Sequence, residues 1–202
     1  MSAMMSAQTT KERILNTAEE IMLERSFHSV GLKQILDAVK VPKGSFYHYF
    51  ESKDQFGVEM MKHYMSDTSS RKRQFLLIPG SESDPLQRLF DYLDESVASI
   101  RKSAGKFPCL ALKLASEVSD ISEAMREELA RGFEDWIGIF QEVLDQAVAQ
   151  QILPEDFDSA SEAQLIMDLW SGAIQRAVAN RDAAPVNHAV EHIRTRINSM
   201  RI

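Results

Sequence analysis

Cysteine is nearly absent from this sequence, with a single thiol, Cys109, in 202 residues. That excludes an intramolecular disulfide and any cysteine-rich zinc site. Eight glycines and six prolines leave little of the punctuation that an all-β fold requires. No apolar run approaches the length of a membrane span, and the opening "MSAMMSAQTTKER" lacks the apolar segment of a signal peptide. The expectation is a cytoplasmic protein with a short disordered leader and no membrane partner. A content of 44% hydrophobic and 26% charged residues suffices for a buried core, in one domain or in a small and a medium one.

The net charge of −7 argues against nucleic acid only if it is evenly spread, and it is not. Residues 1–62 carry eight acidic and eight basic side chains, so the whole deficit lies beyond them. A neutral N-terminal piece with local cations can approach phosphate, while the acidic remainder faces elsewhere.

Helical periodicity dominates. In "TTKERILNTAEEIMLERSF", Ile14, Ala18, Ile21 and Met22 recur at spacings of three and four, and Thr9 with Glu12 fits a capping box. This predicts a helix over about 10–26. Leu32, Ile35, Leu36 and Val39 predict a helix of about two turns, which Val41-Pro42 ends because the residue before proline avoids the α region. Proline is tolerated in the first turn of a new helix, so "PKGSFYHYF" reads as a second short helix after a tight turn. Ser52 with Gln55 opens a longer helix through Phe56, Met60 and Tyr64. The charged run "RKRQ" and then "IPGSESDP" mark a break near 76–85. Further helices are expected near 85–103, 109–117, 121–151, 159–181 and 186–200. The fold class is all-α.

Two short helices joined by a three- or four-residue turn make a helix-turn-helix, whose second helix reads DNA. The stretch "VPKGSFYHYF" divides its labour accordingly. Phe46 and Phe50 face inward, leaving Lys43, Gly44, Ser45, Tyr47 and His48 outside. Gly44 allows a close backbone approach, Ser45 can bond base edges, Tyr47 can stack or bond phosphate, and Lys43 supplies charge. Eight helical residues span about 12 Å, comparable with the width of the major groove. Lys53 falls in the first turn of the next helix, beside free N–H groups that favour a phosphate.

The segment "GLKQILDAVKVPKGSFYHYFESKDQF" resembles the DNA-binding signature of the TetR family of transcriptional regulators, over about residues 8–68. The resemblance implies a three-helix DNA-binding domain over 8–68 and an effector-sensing and dimerisation domain over 69–202. It implies DNA contacts at Lys33, Pro42, Lys43, Gly44, Ser45, Tyr47, Tyr49 and Lys53. Lys53 and the tyrosines chiefly grip phosphate; the others lie nearest the base edges. Lys40 departs from the pattern, since many members have glycine in this turn. Either it adopts a left-handed conformation or the turn relaxes. The partners implied are palindromic double-stranded operator DNA, a second copy of the chain and a small effector. The last two helices, with Leu165, Leu169, Gly172, Ala173, Ala189 and Ile193 on helical spacing, are expected to pair the two copies.

Downstream, "CLALKLASEVSDISEAMR" is similar to members of this family in which a cysteine at the matching position senses electrophiles and oxidants. Pro108 suits the first position of a helix and so puts Cys109 in its first turn, with Lys113 four residues on. Both effects favour thiolate, the reactive form. The bland reading is an inert buried cysteine. With no second cysteine, the chemistry left is alkylation, sulfenic acid, a mixed disulfide or a bridge between two subunits. The ordinary family alternative is a reversible ligand pocket lined by Phe107, Leu110, Phe133, Trp136, Phe140 and Trp170, residues that are otherwise plain core.

Two rivals carry less. "HAVEH" at 188–192 matches a zinc-hydrolase pattern, but a third ligand and a polar cleft are missing, and no oxyanion turn accompanies a Cys109–His hydrolase. A helical protein-binding adaptor explains the acidic half but not the basic, hydroxylated short helix. No enzyme activity, metal or cofactor is expected.

Overall fold

The computed structural model describes residues 9–77, 84–102 and 109–202. Among them nine helices and no strands are found: α1 Thr10–Glu24, α2 Leu32–Val39, α3 Lys43–Tyr49, α4 Lys53–Leu76, α5 Pro85–Lys102, α6 Leu110–Ser119, α7 Glu123–Ala149, α8 Ser159–Asn180 and α9 Ala184–Asn198. The all-α expectation holds. The "RKRQ" run is not punctuation, however: it lies inside α4, which ends only at Leu76.

Local chemistry sets the ends of the early helices. Thr9 and Glu12 form the expected capping box, satisfying each other's backbone N–H groups. The Ser52 hydroxyl accepts from the Gln55 N–H at 3.0 Å and starts α4. Lys40 terminates α2 in the left-handed region, at φ 56° and ψ 44°, so the turn keeps its tight form without glycine. The Val41 N–H then reaches back to the Leu36 carbonyl at 3.0 Å, the long-range bond of a Schellman-type helix end.

Helices α1 to α3 pack with the start of α4 on one aromatic knot. Phe46, Phe50 and Phe56 are buried, with ring centroids 4.9–5.4 Å apart. The Arg13 guanidinium donates to the Val39 carbonyl at 2.9 Å and fixes α1 on the end of α2. His63 and Glu19, 2.8 Å apart, join α4 to α1.

Helix α4 continues into the larger half, where α7 crosses it closely. Gly132 on α7 permits that approach, because a Cβ there would collide with Met65 of α4. Arg73 of α4 reinforces the crossing through Asp135 at 2.5 Å and Glu142 at 2.9 Å. Helices α8 and α9 are tied by Arg196 Nε, 3.0 Å from buried Glu162. Of the residues expected on the pairing face, Ala173 and Ile193 are buried within their own chain. Leu165, Leu169 and Ala189 are half-buried and Gly172 is exposed. The outward face of these helices is therefore narrower than helical spacing alone indicated, because α8 and α9 already bury one stripe against each other and the core.

Candidate functional site

The short helix α3 presents two chemistries on opposite faces. Phe46 is wholly buried while Tyr47, one position on, is 56% exposed. Pro42, Lys43, Gly44 and His48 are exposed, with Ser45 and Tyr49 half-buried beside them. Lys33 on α2 and Lys53 at the start of α4 are exposed as well. A Cβ added at Gly44 would meet nothing within 4 Å, so the helix is open to an approaching surface there. Lys53 is oriented rather than free: its ammonium lies 3.4 Å from the Phe27 carbonyl and 5.1 Å from the Phe27 ring centroid. An ammonium has three donors, so others remain for a phosphate.

A second site lies between α4, α5, α7 and α8. It is a cavity of about 450 Å³, walled by Tyr64, Lys72, Tyr92, Trp136 and Trp170 and reached by the sulfur-bearing residue Cys109. Arg71, Phe75 and Glu95 also border it. Among the residues expected to line a pocket, Trp136 and Trp170 do so. Leu110, Phe133 and Phe140 do not: Leu110 and Phe140 are wholly buried in the core, and Phe133 packs edge-on against Trp136 with centroids 5.6 Å apart. Their apolar character is spent on helix packing. Phe107 and Pro108 lie outside the described residues.

Cys109 stands one position earlier than expected. It is the residue that caps α6, with extended backbone at φ −132° and ψ 117°, and its side chain makes no capping bond. Tyr64 of α4 takes that role. Its hydroxyl accepts from the Leu110 N–H at 3.0 Å and donates toward the Cys109 sulfur at 3.6 Å. Burial, and then the neighbouring thiol, push the Tyr64 phenol well above its usual range.

Lys113 does not serve the cysteine. Its ammonium caps the C-terminal end of α1 instead, donating to the carbonyls of Met22 at 2.8 Å, Leu23 at 2.7 Å and Arg25 at 3.1 Å. Those carbonyls have no partner within their own helix, and the negative end of the dipole favours a cation. Spacing along α6 placed Lys113 near Cys109; packing of α6 on α1 decides where it points. On the same helix, Glu117 accepts from the His28 N–H at 2.8 Å.

The buried cation that shares the cavity with Cys109 is Lys72, which the sequence places inside a charged run. It is 7% exposed, and its ammonium sits 3.6 Å from the Trp136 ring centroid. Burial lowers its pKa to about 8. The signal was present in the spacing: Met61, Met65, Thr68, Lys72 and Leu76 follow one another at three and four residues and are all buried.

His188 and His192 of "HAVEH" are exposed, and among the described residues no three metal-binding side chains come together.

Residues 14–60 match the family profile described as bacterial regulatory proteins, tetR family, and residues 85–193 match the tetracyclin repressor-like C-terminal domain. The chain is 31% identical over 185 residues to the HTH-type transcriptional repressor NemR of Escherichia coli K12, covering 92% of each protein. It is 28% identical over 186 residues to the HTH-type transcriptional repressor DhaR of Mycobacterium sp. strain GP1, covering 91% of this chain and 89% of that one. The crystal structure of the reduced form of E. coli NemR superposes with a TM-score of 0.83 at 30% identity, over 96% of this chain and 98% of that one. These relatives are transcriptional regulators and not enzymes. Matched in both halves and along nearly its whole length, the chain belongs to the TetR family of bacterial transcriptional regulators, among its NemR-like repressors.

Proposed function

We propose that this repressor works in the cytoplasm as a homodimer on a palindromic operator, and that a reactive electrophile or oxidant releases it by modifying Cys109. In this reading residues 8–68 form the DNA-binding domain and 69–202 the sensing and dimerisation domain. One α3 covers only a few base pairs, so useful affinity requires two, held by pairing of α8 and α9 between copies. Lys33, Pro42, Lys43, Gly44 and Ser45 lie toward the bases, and Tyr47, Tyr49 and Lys53 grip phosphate, with His48 beside them.

The observation that carries the reading is the position of Cys109. Its residue borders the cavity and immediately precedes α6, whose Lys113 is bonded to three carbonyls at the end of α1. An adduct on the sulfur displaces the start of α6 and, through Lys113, acts on the DNA-binding helices. Overpacking costs about 1–3 kcal/mol per site, so two subunits supply roughly 2–6 kcal/mol. Moving a population from mostly bound to mostly released needs a differential of about 5.5 kcal/mol. Only the upper end of that range reaches it, so a bulky adduct at both sites is needed and a hydroxyl-sized oxidation product falls short. The solved structure of E. coli NemR is of a reduced form, which supports a redox-responsive reading of this chain.

The second reading, a reversible ligand with an inert cysteine, is favoured by the aromatic walls and size of the cavity. Operator titration with and without N-ethylmaleimide separates the two. Cys109→Ser should bind operator as the parent does and stay bound after treatment. Equal release of both proteins would dispose of the thiol switch and leave the reversible pocket. A monomeric sedimentation mass at micromolar concentration would remove the dimer.

A further inference from the structure

We infer that the cavity beside Cys109 binds a small aromatic carboxylate, with its carboxylate on the Lys72 ammonium and its ring among Trp136, Trp170 and Tyr92. The inference rests on the reading of the C-terminal half as effector-responsive and gives that half a ligand class.

Lys72 is 7% exposed and projects into a cavity rather than onto a protein anion. Among the described residues no carboxylate or carbonyl accepts a hydrogen bond from its ammonium. The nearby acid of α7, Asp135, is engaged by Arg73 at 2.5 Å. What surrounds the ammonium is aromatic: ring centroids of Trp136 at 3.6 Å, Tyr92 at 5.8 Å and Trp170 at 6.0 Å. Ring faces compensate a buried cation only in part, and a buried charge without an ionic partner is an unusual thing for a core to keep.

A second unmet donor belongs to the same wall. Trp136 Nε1 is buried with no hydrogen-bond partner. The Lys72 ammonium has donors to spare and a positive charge, which together ask for an anion with acceptor oxygens. The flat aromatic walls favour a planar body, and about 450 Å³ accommodates a one- or two-ring acid. At the margin Arg71 and Glu95 carry opposite charges, so selection for an anion falls to Lys72.

The chain has only two tryptophans, and both line this cavity, so intrinsic fluorescence reports its occupancy. Benzoate and 3-phenylpropanoate are titrated into the full-length protein near pH 7, alongside their neutral isosteres benzamide and 3-phenylpropanamide. The acids should bind at least about tenfold more tightly than the amides. In Lys72→Met that preference should collapse to about twofold or less. The Lys72 pKa of about 8 adds a pH signature: the acids should weaken between about pH 7 and about pH 9.5, and the amides should not. The other titratable and charged groups around Lys72 are Tyr64 and Arg71 of its own helix, Tyr92 and Glu95 of α5, Cys109 and Asp135. The acid-over-amide comparison in the parent protein stands even if Lys72→Met folds poorly. No acid preference, no binding of any of the four probes, or a preference that survives Lys72→Met would overturn the proposal. Because no operator or thiol reagent is present, failure here leaves the thiol switch standing, and failure of the switch leaves this site standing.

Discussion

The Tyr64 hydroxyl lies 3.6 Å from the Cys109 sulfur and accepts the Leu110 N–H at 3.0 Å. One phenol on α4 thus caps α6 and touches the only thiol of the chain. Tyr64→Phe leaves the buried Leu110 N–H without this partner, and an unsatisfied buried donor costs about 1–3 kcal/mol. A fall in Tm of several degrees at neutral pH is expected. An unchanged Tm would mean that water takes over the cap and that Tyr64 does not hold the start of α6.

Lys113 ties α6 to the end of α1, beside the bond that Glu117 accepts from the His28 N–H. Lys113→Met removes a cation from three C-terminal carbonyls of α1 and should lower stability by roughly 1–2 kcal/mol. Its operator affinity in the untreated state should stay within several-fold of the parent. After N-ethylmaleimide has modified Cys109, verified by intact mass, the drop in operator affinity should be smaller than in the parent. An identical drop would route the signal elsewhere, through Glu117 and His28 or through the continuous α4.

On the DNA face, Lys53→Ala should weaken all DNA sequences about equally. It should also flatten the slope of log affinity against log salt by about 0.9 per lost phosphate contact. Ser45→Ala should alter base preference more than overall affinity. If neither substitution changes operator binding in a titration, α3 is not the reading helix.

Lys72 gives the fold a pH dependence of definite sign. Its pKa falls from an ordinary 10.5 to about 8 in the folded state, chiefly through burial. Below about pH 8 both states hold the proton, and the folded chain carries the full desolvation penalty, on the order of 3 kcal/mol. Between about pH 8 and about pH 10.5 the unfolded state binds more protons, so this contribution to stability rises with pH. Lys72→Met should therefore have a higher Tm than the parent near pH 7, and the gap should narrow toward pH 10. A gap that does not vary with pH would show that Lys72 is not a buried cation.

The chain's own order of residues determined its helices and the two-faced character of α3. Thr9 with Glu12, Ser52 with the Gln55 N–H, and Val41-Pro42 act within a few positions, so their effects are legible without knowing the fold. Phe46 and Phe50, one turn apart, fix which side of α3 faces the core. The choice left open at Lys40 resolved as a left-handed residue, because the neighbouring helices hold the turn tight. The cavity was a different matter. Lys72 lies in "RKRQ", a stretch that reads as solvated, yet α5, α7 and α8 close over it. Lys113 shares a helical face with the position of Cys109 but is captured by carbonyls some 90 residues earlier in the chain. Tyr64, read only as part of a helix, proved to be the cap of α6. Each of these depends on which helices pack together and at what crossing, as where Gly132 lets α7 approach Met65. Helix-forming signals act over a turn or two, whereas the direction of a long side chain is set by partners distant in sequence, and only the tertiary structure brings them together.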